Sequence, residues 1–232
     1  MKTIAIILAS GIGSRLGESI PKQFLKIRGK SILEYSIRVF NNNSQIDEII
    51  IVSHPNYIVK VEEIVKNSNF QKVSKIIPGG STRQESSSNG INSVLYKNAK
   101  VLIHDAVRPF VTDRIINDCI KALNEYKAVN VAIEASDTII EIDSENCVKN
   151  IPQRKFLRRV QTPQGFDLQI IKKAHELASK QENISFTDDC GLVQEFKLTK
   201  IKIIQGEESN IKITYPNDIK LAENIIDFCD KI

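Results

Sequence analysis

Residues 1–23 read MKTIAIILASGIGSRLGESIPKQ. Ile4-Ala5-Ile6-Ile7-Leu8-Ala9 is an apolar run without polar alternation, the pattern of a strand buried on both faces, as in a parallel sheet. The run breaks at Ser10-Gly11-Ile12-Gly13-Ser14-Arg15. Glycine there permits positive φ and lets a ligand come close to the backbone. A loop of bare N–H groups after a strand can cradle phosphate. Arg15 and Lys22 add two cations within eight residues, so a polyphosphate would be held by amides and neutralised by side chains. The turn is not the dinucleotide fingerprint, because Leu16 stands where G-x-G-x-x-G needs glycine, and no G-K-[ST] follows to make a P-loop. On spacing alone it is equally an ordinary strand-to-helix turn.

Working outward, the chain has 232 residues, 41% apolar and 26% charged, which describes a soluble globule with a substantial core. The net charge of +4 is too small to argue for nucleic acid but suits an anionic small molecule. Cys119, Cys147, Cys190 and Cys229 are widely spaced with no C-x-x-C, which gives no support to a zinc or redox motif and reads as reduced thiols. The amino terminus lacks the n-region and cleavage site of a signal peptide, and its apolar run is too short to span a membrane. The expectation is a cytoplasmic protein of one domain, 1–232, with no nucleic-acid or membrane partner.

Strand and helix patterns alternate along the chain. Ser31–Asn41 reads as a helix capped by Ser31, Ile46–Val52 as a second buried strand, Tyr57–Asn67 as a helix, and Val73–Ile77 as a third strand. This rhythm predicts an α/β fold with a mostly parallel, doubly wound sheet. The third strand ends at Pro78-Gly79-Gly80-Ser81-Thr82-Arg83-Gln84-Glu85-Ser86, a second glycine turn, followed by a helical stretch from Ser87 to Leu95. Ligands in such sheets sit beyond the carboxyl ends of the strands, so the two turns would flank one crevice. Taken alone, the second turn is equally a plain Ser/Thr-capped turn.

Val101–Ile103, a fourth strand, leads into His104-Asp105-Ala106-Val107-Arg108-Pro109. A carboxylate at a strand end beside a phosphate site is placed to hold Mg²⁺. Arg108 could grip a second phosphate as a charged fork. The alternative is an Asp–Arg pair that ties down a loop, and His104 reads as structural. A helix over Asp113–Glu125 and a strand over Val129–Ala135 follow; then Ile139–Ile151 breaks the rhythm as a hairpin-like excursion turning at Asp143–Asn146. Asp167–Ser179 reads as a helix, Thr187-Asp188-Asp189 as the cap of a helix over Cys190–Phe196, Ile201–Gln205 as the last strand, and Ile219–Phe228 as the last helix. Capping alone is the reading preferred for Asp188 and Asp189.

The blocks SGIGSRLG with PKQ, GGSTRQES, HDAVRP, DT, R-x7-TPQ, TDD and NIKIT resemble, in order, those of the cytidylyltransferases acting on small polyol phosphates, of which 2-C-methyl-D-erythritol 4-phosphate and ribitol 5-phosphate are the best-known acceptors. The resemblance covers nearly the whole chain. It implies a Rossmann-like nucleotidyltransferase core, a homodimer, CTP and a polyol phosphate as substrates, Mg²⁺, and a dimerisation arm at about 139–155. Carried over, Ala9, Ser10, Gly11 and Gly13 would line the nucleotide, and Arg15, Lys22 and Lys212 would act on its phosphates. Gly80, Ser81 and Ser86 would sit at cytosine and ribose, and Asp105 and Ala106 near ribose and metal. Arg108, Thr138, Arg154 and Thr162 would form the acceptor pocket, with Thr138 and Arg154 reaching the partner's site.

The acceptor stays open. Val107, and the lack of a lysine after Asp137-Thr138, resemble the ribitol branch; Arg83-Gln84-Glu85-Ser86 and Thr187-Asp188-Asp189 resemble the methylerythritol branch, the preferred one. Two other classes are weighed. A nicotinamide-dependent oxidoreductase would need glycine where Ser19 stands and an acid after the second strand, which ends Val52-Ser53-His54. A non-catalytic nucleotide-binding protein would be expected to have lost some of the cations Arg15, Lys22 and Lys212.

Overall fold

The protein was analysed as a computed structural model that describes residues 1–12, 20–181 and 186–229. Seven strands form its main sheet: β1 (Lys2–Ala9), β2 (Glu48–Ser53), β3 (Val73–Pro78), β4 (Ala99–Asp105), β5 (Ala128–Glu134), β6 (Arg158–Asp167) and β7 (Ile201–Gln205). Their spatial order is β7-β5-β6-β4-β1-β2-β3. All neighbours pair in parallel except β6, which runs antiparallel to both β4 and β5. The predicted α/β sheet is therefore present, mostly parallel.

The apolar run of β1 is buried on both faces, as its lack of alternation requires. Ala5, Ile7 and Ala9 face one core, with α1 (Ile32–Asn42), α2 (Ile58–Asn67) and α4 (Asp113–Ala122). Ile4, Ile6 and Leu8 face the other, with α3 (Arg83–Asn92), α5 (Leu168–Ala178) and α6 (Asp189–Glu195). A smaller cluster joins Ile27, Ile32, Val107 and Ile213 to the last helix, α7 (Pro216–Cys229).

Three differences from the sequence reading matter for the site. α3 begins at Arg83 rather than Ser87, because the Thr82 hydroxyl accepts the Glu85 N–H at 3.1 Å and caps the helix four residues early. β6 was not predicted at all; only Val160 and Phe166 of its ten residues are large and apolar, and Pro163 and Gly165 read as loop residues. The register shift between Val160 and Gln164 is what accommodates the proline. The excursion carries only a short ladder, Glu141–Ile142 against Val148–Asn150, and its residues from Ser136 to Lys149 are exposed.

Candidate active site

The carboxyl ends of β1, β2, β3 and β4 open onto one cleft of about 710 Å³. Its walls bring together residues from distant parts of the chain: Ala9, Ser10 and Gly11 after β1; Lys22; Gly80, Ser81 and Arg83 after β3; Asp105 and Ala106 at the end of β4; and Lys212. A parallel sheet points all these strand ends the same way, so the loops that follow them meet.

The two glycine turns interlock. The Ser10 hydroxyl donates to Ser86 Oγ at 2.7 Å, the Gly80 N–H donates to the same oxygen at 3.1 Å, and Ser86 Oγ donates to the Thr82 carbonyl at 2.9 Å. Ser86 is 1% exposed and forms the floor beneath the turns rather than their surface. Gly79 allows the close approach: a Cβ there would lie 2.5 Å from the Ser10 Cβ. Glu85 accepts from both the Ser81 N–H at 2.7 Å and the Ser81 hydroxyl at 2.6 Å, which fixes the second turn from its outer side.

Lys22 begins a one-turn helix, Lys22–Phe24, and is half-buried at the cleft wall. Its neighbour Gln23 is 1% exposed and donates from its side-chain amide to the carbonyls of Ala9 at 2.7 Å and Gly11 at 2.9 Å. The P-K-Q block thus pins the first glycine turn, a role the sequence reading did not assign. Gly13 and Arg15 lie outside the described residues.

Asp105 is the electrostatic centre. Its Oδ2 accepts from Lys212 Nζ at 2.8 Å, and its Oδ1 accepts from Arg83 Nε at 3.3 Å. Burial acts to raise the carboxyl's pKa, but Arg83 and Lys212 outweigh it and hold it well below the usual carboxylate range. Its backbone N–H donates to Thr162 Oγ1 at 3.1 Å. Thr162 is 5% exposed and lies behind Asp105, away from the cleft walls. Thr162 Oγ1 also meets His104 Nδ1 at 3.0 Å, while His104 Nε2 meets the Arg108 carbonyl at 3.0 Å. A carbonyl only accepts, so Nε2 carries the proton, Nδ1 accepts, and the Thr162 hydroxyl donates to it. Burial lowers the His104 pKa to about 4, so the imidazole is neutral near pH 7.

Arg108 donates from Nη1 to the Asn210 carbonyl at 2.8 Å and from Nη2 to the Val160 carbonyl at 3.2 Å. It therefore braces the segment that carries Lys212, and it does not line the cleft. Thr138 and Arg154 meet each other, Nη2 to Oγ1 at 2.9 Å, on the exposed excursion and not in the cleft of their own chain. Asp188 caps α6, as its position suggested, by accepting the Gly191 N–H at 2.8 Å. Asp189, the first residue of α6, is not its cap. It is 1% exposed and accepts from Arg83, Ser87 and His175, so the capping reading does not hold for it. Its partners are 14 or more residues away, and no local pattern joins them.

Among the described residues no group of three or more His, Cys, Asp or Glu could hold a metal. Among the described residues Asp105 is the one carboxylate on the cleft wall. That donor set suits Mg²⁺, which usually takes one or two carboxylates and fills its remaining positions with substrate phosphates and water. No described helix is long and apolar enough to cross a membrane.

A sequence model of the 2-C-methyl-D-erythritol 4-phosphate cytidylyltransferases (IspD) matches residues 3–227. The enzyme of that name from Thermobifida fusca (strain YX) is 38% identical, over 97% of this chain and 93% of its own. The bifunctional ribulose 5-phosphate reductase/CDP-ribitol pyrophosphorylase Bcs1 of Haemophilus influenzae is 42% identical over 97% of this chain but only 48% of its own length. Among solved structures, the 4-diphosphocytidyl-2C-methyl-D-erythritol synthase of Anaerococcus prevotii DSM 20548 superposes with a TM-score of 0.86 at 31% identity, over 97% of this chain and 98% of its own. With several of the family's sequence blocks on one cleft and its model spanning nearly the full length, the chain belongs to the 2-C-methyl-D-erythritol 4-phosphate cytidylyltransferase family.

Proposed function

We propose that this chain transfers CMP from CTP to 2-C-methyl-D-erythritol 4-phosphate and releases pyrophosphate. The observation that carries this reading is the convergence on one cleft of Ala9–Gly11, Lys22, Gly80–Ser81, Asp105 and Lys212, which are up to two hundred residues apart. The turns would hold the nucleotide, with Ser86 keeping them in register. The acceptor's phosphate is already an anionic nucleophile, so no general base is required. Its oxygen attacks the α-phosphorus of CTP in line as pyrophosphate leaves. Lys22 and Lys212 would neutralise charge that builds on the phosphates, with Arg15 as a third cation by family resemblance. A divalent cation, Mg²⁺ by its donor preference, would be held by Asp105 together with the nucleotide's phosphates, and it supplies charge stabilisation.

Thr138 and Arg154 complete this reading only if the site is shared. Residues 139–155 would form an arm that lays this exposed pair against the cleft of a partner copy. The exposed apolar side chains Ile139, Ile140, Ile142, Val148 and Ile151 support that role, since such a stripe favours burial against a partner. Thr162 and Arg108 enter as supports of Asp105 and of the Lys212 segment.

Ribitol 5-phosphate is the second reading, favoured by the 42% identity to the Haemophilus influenzae protein. Pyrophosphate release from CTP and Mg²⁺ with each acceptor in parallel decides. Turnover with methylerythritol phosphate alone is expected. Turnover with ribitol phosphate alone transfers the assignment to that branch, and silence with both refutes both acceptors.

A further inference from the structure

A line of polar and charged groups runs from the cleft wall into the core, and the mechanism above uses Asp105 and Lys212 but leaves Arg83, Asp189 and His175 without a part. His175 Nε2 meets Asp189 Oδ1 at 3.0 Å, Arg83 Nη1 donates to Asp189 Oδ2 at 2.8 Å, Arg83 Nε donates to Asp105 Oδ1 at 3.3 Å, and Lys212 Nζ donates to Asp105 Oδ2 at 2.8 Å. Ser87 Oγ adds a third donor to Asp189 at 2.5 Å. The line runs from a fully buried end on α5 and α6 to an open end at Lys212, whose side chain is 41% exposed.

Lys212 is engaged by Asp105, yet transfer needs its ammonium on a phosphate. Asp105 is 8% exposed. Drawing its counter-cation away would leave a buried carboxylate uncompensated, which is strongly unfavourable. Arg83 removes that obstacle. It is a permanent cation whose planar fork serves two carboxylates at once. Its far end is fastened to Asp189, which Ser87 and His175 also hold, so it cannot follow Lys212 towards the ligand. Of the other groups facing Asp105, Arg108 is committed to two carbonyls and His104 is neutral near pH 7; the divalent cation proposed above would reach Asp105 only with the nucleotide's phosphates, whereas Arg83 is on it beforehand.

We propose that Arg83 is a positioning residue that keeps Asp105 compensated, so that Lys212 is free to leave it for the phosphate being transferred. The proposal rests on the cytidylyltransferase reading. It adds a division of labour: Arg83 stays on Asp105 throughout, and Lys212 moves.

The test uses Arg83→Gln and Arg83→Lys in the full chain. It combines crystal structures with CTP, CTP titration, and pyrophosphate release at saturating substrates. In the wild type with CTP, Lys212 Nζ is expected on the nucleotide's phosphate. In Arg83→Gln it is expected to remain within about 3 Å of Asp105. The kcat of Arg83→Gln should fall at least tenfold while CTP affinity changes less than about threefold, the split expected for loss of a transition-state contact. Arg83→Lys keeps the charge but cannot span both carboxylates, so an intermediate kcat is expected. It also decides the matter if the glutamine variant does not fold. CTP bound in the cleft of either variant with Lys212 on the phosphate as in wild type would overturn the proposal, as would a kcat within twofold of wild type in both. CTP failing to enter the wild-type cleft would instead refute the cytidylyltransferase reading.

Discussion

Gln23 shows how much of the site depends on a side chain that touches no ligand. Its amide places two hydrogens on the carbonyls of Ala9 and Gly11, and so shapes the first glycine turn from behind. A glutamate is nearly the same size but, when ionised, only accepts hydrogen bonds. Gln23→Glu would set a carboxylate against two carbonyl oxygens in a site that is 1% exposed. The expected cost is about 1–3 kcal/mol of stability, read by thermal or denaturant unfolding, with weaker CTP binding by titration. If the variant matches wild type in both, the turn takes its shape from other contacts. At this scale the sequence was informative about charges and reticent about supports. Lys22 and Asp105 stood out because a cation and a carboxylate beside glycine turns imply phosphate chemistry, and Lys212 was placed by resemblance. Gln23 did not, and Ser86 was placed only by resemblance, because a neutral amide or hydroxyl carries no signature until its partners are known. Thr162 was placed by resemblance in the acceptor pocket; it is 5% exposed, and its hydroxyl accepts the Asp105 N–H, a contact the sequence did not signal.

The elements were legible wherever burial imposed a period. β1, β2, β4 and β5 are buried runs, α1 and α4 carry apolar stripes, and each was found within a few residues. β6 escaped because Phe166 is its one large apolar residue that is buried. Gln161, Thr162 and Gln164 are each 5% exposed or less and satisfied by hydrogen bonds across the chain, so hydrophobic patterning has nothing to detect. The same strand leads to a pH effect. Thr162 on β6 donates to His104 on β4, which is held neutral with its pKa lowered from 6.5 to about 4. The unfolded chain therefore binds a proton that the folded chain refuses, and stability falls as pH drops from about 6.5 towards 4. The full effect is on the order of 3 kcal/mol. Asp105 and Asp189, with lowered pKa values, begin to lose their contribution only as pH falls into the ordinary carboxylate range, so the interval from pH 6.5 to 5 lies above their titration. Wild type should lose melting temperature across that interval, and His104→Gln should lose clearly less. Equal losses would show that another group titrates there.

For the whole molecule, the proposed arm predicts that active sites are assembled from two chains. Arg154→Ala removes an acceptor contact from the arm, and Lys212→Ala removes a cation from the cleft. Each homodimer should be nearly inactive. In co-expressed mixtures, a heterodimer would hold one doubly damaged site and one intact site, so about a quarter of wild-type activity is expected at equal mixing. No recovery, with mixed dimers demonstrated by tag pull-down, would mean that the arm serves its own chain. The reversed direction of β6 has a further meaning for such an arrangement. β5 ends at Glu134 and β6 begins at Arg158, and because β6 runs backwards both points lie on the cleft side of the sheet. The 23 residues between them leave and re-enter on that side with only a one-turn helix, Arg154–Phe156, and no α-helix to carry them across. That span is a cassette. It can be lengthened, shortened or recoded without re-threading a strand, while the nucleotide-facing turns stay as they are. One scaffold can then acquire a new acceptor, or a new way of pairing its copies, through changes in a single insertion.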